Sequence, residues 1–163
     1  MKQNILVVCT GNICRSPMAT ALLAAQAAKM GDGERLAFSS AGTWAREGDQ
    51  SSANAQIVMQ RRGLSIQGHR ARTVTRELIE EADLVLVMTQ NQRDSLRAEF
   101  SQSRRKIYLL SELIGMQYDI SDPYGNALDE YETCASGLDY LIAKGYPRLA
   151  ELMDQARAAG AKT

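Results

Sequence analysis

"VVCTGNICRSPMAT", residues 7–20, joins an apolar run to a run of helix formers and sets two cysteines, a glycine, an asparagine and an arginine in the join. Upstream, Ile5 to Val8 is short, continuous and β-branched, as expected of a strand buried on both faces. Downstream, Ser16 as N-cap and Pro17 near the first helical position predict a helix that continues through "MATALLAAQAAKM" up to Gly31. The stretch therefore spans a strand-to-helix loop, and neither core packing nor ordinary turn chemistry needs its mixture of thiols and fixed positive charge.

The same alternation repeats outward from this loop. A second strand is expected at 35–42 and a helix over about 52–62, stopped by Gly63. Residues 75–82 read as helix, 83–88 as a buried strand, 91–100 as helix and 106–113 as a fourth strand. From Asp129 to Ala159 a long helical pattern follows, with Gly137, Gly145 and Pro147 as expected weak points or breaks, and a tail frayed from about residue 158. Segments 43–54 and 117–128 read as loops. Strands alternating with helices predict an α/β fold, a parallel sheet covered on both faces, in one domain over residues 1–163. In such folds ligands bind beyond the carboxyl ends of the strands, where residues 9–16 lie.

Composition narrows the functions open to the chain. Its 163 residues carry nineteen basic and nineteen acidic side chains, so no global field favours nucleic acid or an anionic membrane, and a bound anion must be held by a local device. The start is too weakly apolar for a signal peptide, and no run approaches the roughly 20 apolar residues of a membrane span, so a cytoplasmic location without membrane insertion is expected. Cys9, Cys14 and Cys134 do not make a disulfide framework. With His69 as the single histidine, zinc sites are poorly supplied and no metal is expected; a serine triad lacks its G-x-S-x-G stretch.

The loop itself suggests its chemistry. From Cys9 to Arg15, a segment of this length leading into a helix can curl so that successive backbone N–H groups converge on an oxyanion, aided by the positive end of the helix dipole. Gly11 and Asn12 tolerate the left-handed backbone that such curling requires. Thr10, Gly11, Asn12, Ile13, Cys14, Arg15 and Ser16 are thus the expected phosphate-binding residues, with the Arg15 guanidinium gripping two phosphate oxygens. Cys9 sits at the floor, where these dipoles favour thiolate and line it up for attack on phosphorus; Ser16 can donate its hydroxyl to the sulfur as it leaves. A nucleotide P-loop fits less well, because "GNICRSP" lacks Gly-Lys-Ser/Thr.

"VCTGNICRSP" closely resembles the signature of the low-molecular-weight protein tyrosine phosphatases, and the similarity continues through "SAGT" at 40–43, "GH-x-AR" at 68–72 and "DPYG" at 122–125. The resemblance implies a cysteine-dependent phosphatase that needs no metal or cofactor, on a four-stranded parallel sheet flanked by helices. Asp122, stiffened by Pro123, is the expected general acid that protonates a leaving phenolate and then acts as base toward water, by its own chemistry and by its match to the family's Asp-Pro pair. Asp119 is the runner-up. An ionised Cys9 working with a protonated acid predicts a bell-shaped rate profile.

Tyr124, Trp44 and Ile13 are the expected apolar walls around a substrate ring. Arginine phosphatases resembling this family tend to have threonine at the position of Ile13, which favours phosphotyrosine for this chain. By the resemblance, Ser40 and His69 support the loop asparagine, Asn12, and Thr89 replaces an aspartate common in the family. Cys14 either packs behind the loop or forms a reversible disulfide with Cys9. A tyrosine-phosphorylated protein is the expected partner, with a bacterial tyrosine kinase among the candidates, and a monomer or weak dimer is expected. The rival readings are a protein arginine phosphatase, a thiol-dependent arsenate reductase and a non-catalytic oxyanion- or phosphoprotein-binding module. No cysteine lies between Cys14 and Cys134 to supply the thiol relay of an arsenate reductase.

Overall fold

In the computed structural model, which describes residues 1–160, the first apolar run becomes strand β1, Gln3–Cys9. It pairs in parallel with β2, Leu36–Gly42, on one side and with β3, Leu84–Val87, on the other. Strand β4, Ile107–Leu109, pairs with β3, giving the order β2-β1-β3-β4. The chain leaves β1 toward one edge and returns to the other side of it, so the strand order reverses between β1 and β3. In sheets of this kind ligands bind beyond the carboxyl ends of the strands at such a reversal, which is where Cys9 ends β1.

The helices cover both faces. Helices α1 (Arg15–Lys29), α2 (Ala53–Gln60) and α5 (Leu128–Gly160) lie on one side, and α3 (Arg76–Glu81) and α4 (Gln90–Glu99) on the other. Side chains of β1 alternate between the two cores, as a period of two requires. Ile5, Val7 and Cys9 pack with Met18, Leu23 and Leu138, while Leu6 and Val8 pack with Ile79, Leu96 and Phe100. Each fully buried Leu or Ile contributes about 1.5–3 kcal/mol to holding these layers together. Both cores converge on β1, so the strand that delivers Cys9 is fixed from above and below.

Three expectations need correction. Ser16 is not the N-cap of α1: the helix starts at Arg15, Cys14 occupies the cap without a side-chain cap bond, and the Ser16 hydroxyl is drawn into the loop. The fourth strand stops at Leu109, because the next residues turn into a 3-10 helix, Leu110–Ile114, that buries Leu110 and Leu113 against the α5 side. An apolar run cannot distinguish these two outcomes by periodicity alone. Helix α5 does not break at Gly145 or Pro147; the buried stripe of Leu141, Ile142, Tyr146 and Leu149 carries it through. Pro147 removes one N–H from the ladder, and Gly145 is where the helix presses closest on Leu113. Of the tail expected to fray from about 158, residues up to Gly160 are helical, and 161–163 lie outside the described residues.

A Cβ at Gly145 would approach Leu113 Cβ to 2.6 Å, whereas one at Gly137 meets nothing within 4 Å. Gly137→Ala is expected to stabilise by up to about 1 kcal/mol through helix propensity alone. Gly145→Ala is expected to destabilise by about 1–2 kcal/mol, overpacking outweighing the same propensity gain. Urea denaturation of the two variants checks both signs.

Candidate active site

Beyond Cys9 the chain curls over residues 10–14 before α1 begins. Asn12 is the one non-glycine residue with positive φ, +57°, among the described residues. Gly11, which shared that expectation, does not have a positive φ. A left-handed residue other than glycine costs on the order of 1 kcal/mol, and Asn12 is completely buried besides, so it survives only where its polar groups are satisfied. They are. Its Nδ2 donates to Ser16 Oγ at 2.8 Å and Ser40 Oγ at 2.9 Å, and its Oδ1 accepts the Arg72 backbone N–H at 3.0 Å. His69 Nε2 lies 2.6 Å from the Asn12 carbonyl, which can only accept, so this nitrogen carries the proton. Burial holds the imidazole below the usual histidine range and keeps it neutral near pH 7.

The carbonyls of the curl are spoken for from outside: Thr43 N donates to Cys9 O, Trp44 N to Thr10 O and Ser52 N to Ile13 O, at 2.9–3.0 Å. Gly42 permits this approach, since a Cβ there would run into the Thr10 carbonyl. The N–H groups of Gly11, Asn12, Ile13 and Cys14 donate to no other group among the described residues. Arg15 and Ser16 begin α1, and the first N–H groups of a helix lack intrahelical acceptors. Pinned carbonyls and unpaired amides on one loop make a nest for an anion.

Arg15 is almost fully buried. Its Nη1 donates to Ile120 O at 2.8 Å, and its Nη2 lies 3.4 Å from both Thr10 Oγ1 and Asp122 Oδ2. Its Nε is the one buried side-chain nitrogen or oxygen left without a hydrogen-bond partner among the described residues. Cys9 Sγ lies 3.0 Å from Ser16 Oγ, within the same buried floor.

The segment that bears Asp122 is tied at its base by Ile120, whose N–H donates to Met88 O at the end of β3. Asp122 Oδ1 accepts the Tyr124 N–H at 3.1 Å and the side chain remains half exposed. Asp119 is engaged elsewhere, accepting the Gln90 N–H at 2.8 Å in the first turn of α4. Asp122, not Asp119, borders a cleft of about 250 Å³ that also has Cys9, Arg15, Ile13, Trp44 and Tyr124 in its lining. Trp44 is 86% exposed and Tyr124 65%, so both rings stand at the mouth rather than in a core. A second cavity, of about 240 Å³, lies on the α5 side of the Asp122 segment; it contains Cys134 but neither Cys9 nor Arg15.

Cys14 also borders the cleft, yet its Sγ sits 3.3 Å from Ser52 Oγ and 3.4 Å from Tyr131 OH. Burial pushes this thiol up, against the opposing effect of those two hydroxyls. All three cysteines are free thiols. Two residues not expected from sequence touch the loop. Arg72, within the "GH-x-AR" stretch, gives its N–H to Asn12 and its Nε to Ser40 O at 3.0 Å. Gln92 donates to Thr10 Oγ1 at 3.0 Å; the T-x-x-Q spacing of a capping box from Thr89 marked its place on α4, but no local pattern marked its contact.

The family model for low molecular weight phosphotyrosine protein phosphatase matches residues 4–156. A protein-arginine-phosphatase of Geobacillus stearothermophilus is 36% identical over 155 residues, covering 93% of this chain and 96% of its own length. A probable low molecular weight protein-tyrosine-phosphatase, EpsP, of Ralstonia nicotianae is 35% identical over 152 residues, 93% of this chain and 99% of its own. Among solved structures, a YwlE mutant from Bacillus subtilis superposes with a TM-score of 0.86 at 31% identity, over 91% of this chain and 99% of that one. The chain belongs to the low-molecular-weight phosphotyrosine protein phosphatase family.

The half-buried, neutral His69 has a consequence for stability. Its folded-state affinity for a proton is lowered, so its contribution is whole above the unfolded value of about 6.5 and is lost as the pH falls, where the unfolded chain takes up a proton that the folded one resists. Between pH 7 and 5 the melting temperature of the wild type is expected to fall more steeply than that of His69→Gln, whose amide still donates but does not titrate. Parallel thermal melts across that range check it.

Proposed function

We propose that this chain is a cytoplasmic protein-tyrosine-phosphatase that works through a cysteinyl-phosphate intermediate. The observation that carries the reading is the Cys9 thiol set beneath unpaired loop amides and the unpartnered Arg15 Nε, with the Asp122 carboxyl across the same cleft. The Cys9 thiolate attacks phosphorus while the loop N–H groups and Arg15 hold the equatorial oxygens. The bond from phosphorus to the tyrosyl oxygen breaks, its electron pair goes to that oxygen, and Asp122 supplies the proton. Water then attacks the phosphocysteine, Asp122 takes the water's proton, and the sulfur leaves as thiolate, assisted by a hydrogen bond from Ser16.

Trp44 and Tyr124 flank the mouth and Ile13 adds apolar bulk, a lining suited to a flat phenyl ring. A phosphorylated protein is the substrate, as for the relatives whose names specify protein phosphatases; a tyrosine kinase is one such candidate. Protein arginine phosphatase is the second reading, favoured by the naming of the Geobacillus relative and opposed by Ile13. Side-by-side turnover of a phosphotyrosine peptide and a phosphoarginine peptide separates them: a higher kcat/KM for phosphoarginine would overturn the preference for phosphotyrosine.

Cys9→Ser is expected to abolish turnover while leaving inorganic phosphate binding largely intact, as read by steady-state assay and calorimetry. Asp122→Asn is expected to lower kcat for phosphotyrosine by about 10²–10⁴ and to remove the alkaline limb of the bell-shaped profile, since that limb reports loss of the acid's proton. An unchanged alkaline limb in that variant would assign the acid to another group.

A further inference from the structure

Gln92, almost fully buried on the first turn of α4, has an amide whose orientation its neighbours dictate. Its Oε1 lies 3.1 Å from both the Met88 and the Thr89 backbone nitrogens. Those groups can only donate, so the reversed amide would set NH₂ against two N–H groups. The Nε2 therefore faces Thr10 Oγ1, 3.0 Å away, and the Thr10 oxygen must accept. Arg15 Nη2 approaches the same oxygen at 3.4 Å as a second donor.

A threonine hydroxyl has two lone pairs and one proton. With two donors directed at the oxygen, the proton is what Thr10 has left to offer, and Thr10 is an exposed residue in the lining of the cleft beside Cys9 and Arg15. We propose that Gln92 polarises the Thr10 side chain so that its O–H donates to the phosphoryl group held in the cleft, making Thr10 a substrate contact and Gln92 its positioning residue. The inference rests on the phosphatase reading above. It gives the substrate a side-chain donor in addition to the loop amides, and it links the cradle to the capping box of α4, an element packed on the opposite face of the sheet from α1.

The test is a double-mutant cycle read by binding of inorganic phosphate to the full chain, alongside kcat and KM for a phosphotyrosine peptide. Thr10→Val is expected to weaken phosphate binding about tenfold, the scale of a hydrogen bond to a charged group, while Thr10→Ser keeps it within about threefold. In a Gln92→Glu background the carboxylate accepts the Thr10 proton and turns the hydroxyl away, so Thr10→Val is expected to cost less than about threefold there. The added negative charge of Gln92→Glu is common to both arms of that comparison and cancels. A loss under about threefold for Thr10→Val in the native chain, or an equal loss in both backgrounds, overturns the proposal.

Circular dichroism monitors folding. If Gln92→Glu fails to fold, Gln92→Met takes its place in the cycle; if both fail, equal phosphate binding by the Thr10→Val and Thr10→Ser chains is the overturning result. Turnover by the unchanged chain tests the phosphatase reading separately. A chain that turns over normally but shows no Thr10 effect sinks this proposal alone.

Discussion

The left-handed turn at Asn12 is the constraint on which the rest of the site depends. Without it the segment after β1 cannot reverse sharply enough to turn its amides away from its carbonyls. The turn is unfavourable by itself and persists because Ser16, Ser40, His69 and the Arg72 N–H together satisfy the polar groups of a fully buried asparagine. Removing one of these partners leaves a buried donor or acceptor unpaired, a penalty of about 1–3 kcal/mol set against a backbone that is already strained. Helix α1, β2 and the 68–72 segment thus hold one residue in a shape that it would not keep alone, and that shape aims the amides.

A second constraint joins the two halves of the chemistry. Arg15 shares its guanidinium between the Ile120 carbonyl and the neighbourhood of Asp122, while Ile120 is anchored to the end of β3. The acid segment is therefore placed relative to the loop by the same side chain that closes the cradle. Long loops usually owe their mobility to few such ties; in this chain two backbone contacts at Ile120 limit how far Asp122 can stray from the sulfur side of the cleft. Trp44 and Tyr124 are tied through their backbone N–H groups, to Thr10 O and Asp122 Oδ1, while both residues stay exposed at a mouth that admits a protein segment.

Much of this architecture is legible in the sequence. Short apolar runs alternating with helix-forming stretches locate every strand and long helix, because burying both faces of a parallel sheet forces continuous apolar strands between its covering helices. Where the patterns mislead, the cause is long-range. Leu110 and Leu113 belong to an apolar run that continues a strand equally well, and only the presence of α5 turns them into a 3-10 helix. Pro147 reads as a helix break until the buried stripe on either side of it is seen to outweigh one lost hydrogen bond. Ser16 reads as a cap until Cys9 and Asn12 claim its hydroxyl.

Residues near one another along the chain are enough to specify the sheet, the strand-to-helix junction and the chemical inventory of the site, since each rests on a local pattern of apolar, small and charged side chains. Folding alone settles which carboxylate faces the cleft, Asp122 and not Asp119, and that Arg15 Nε remains unpaired. It also settles that Gln92, 82 positions along the chain, reaches Thr10. Hydrogen bonds between distant segments have no period and leave no local pattern, because they exist only once the sheet has brought the ends of β1 and β3 together.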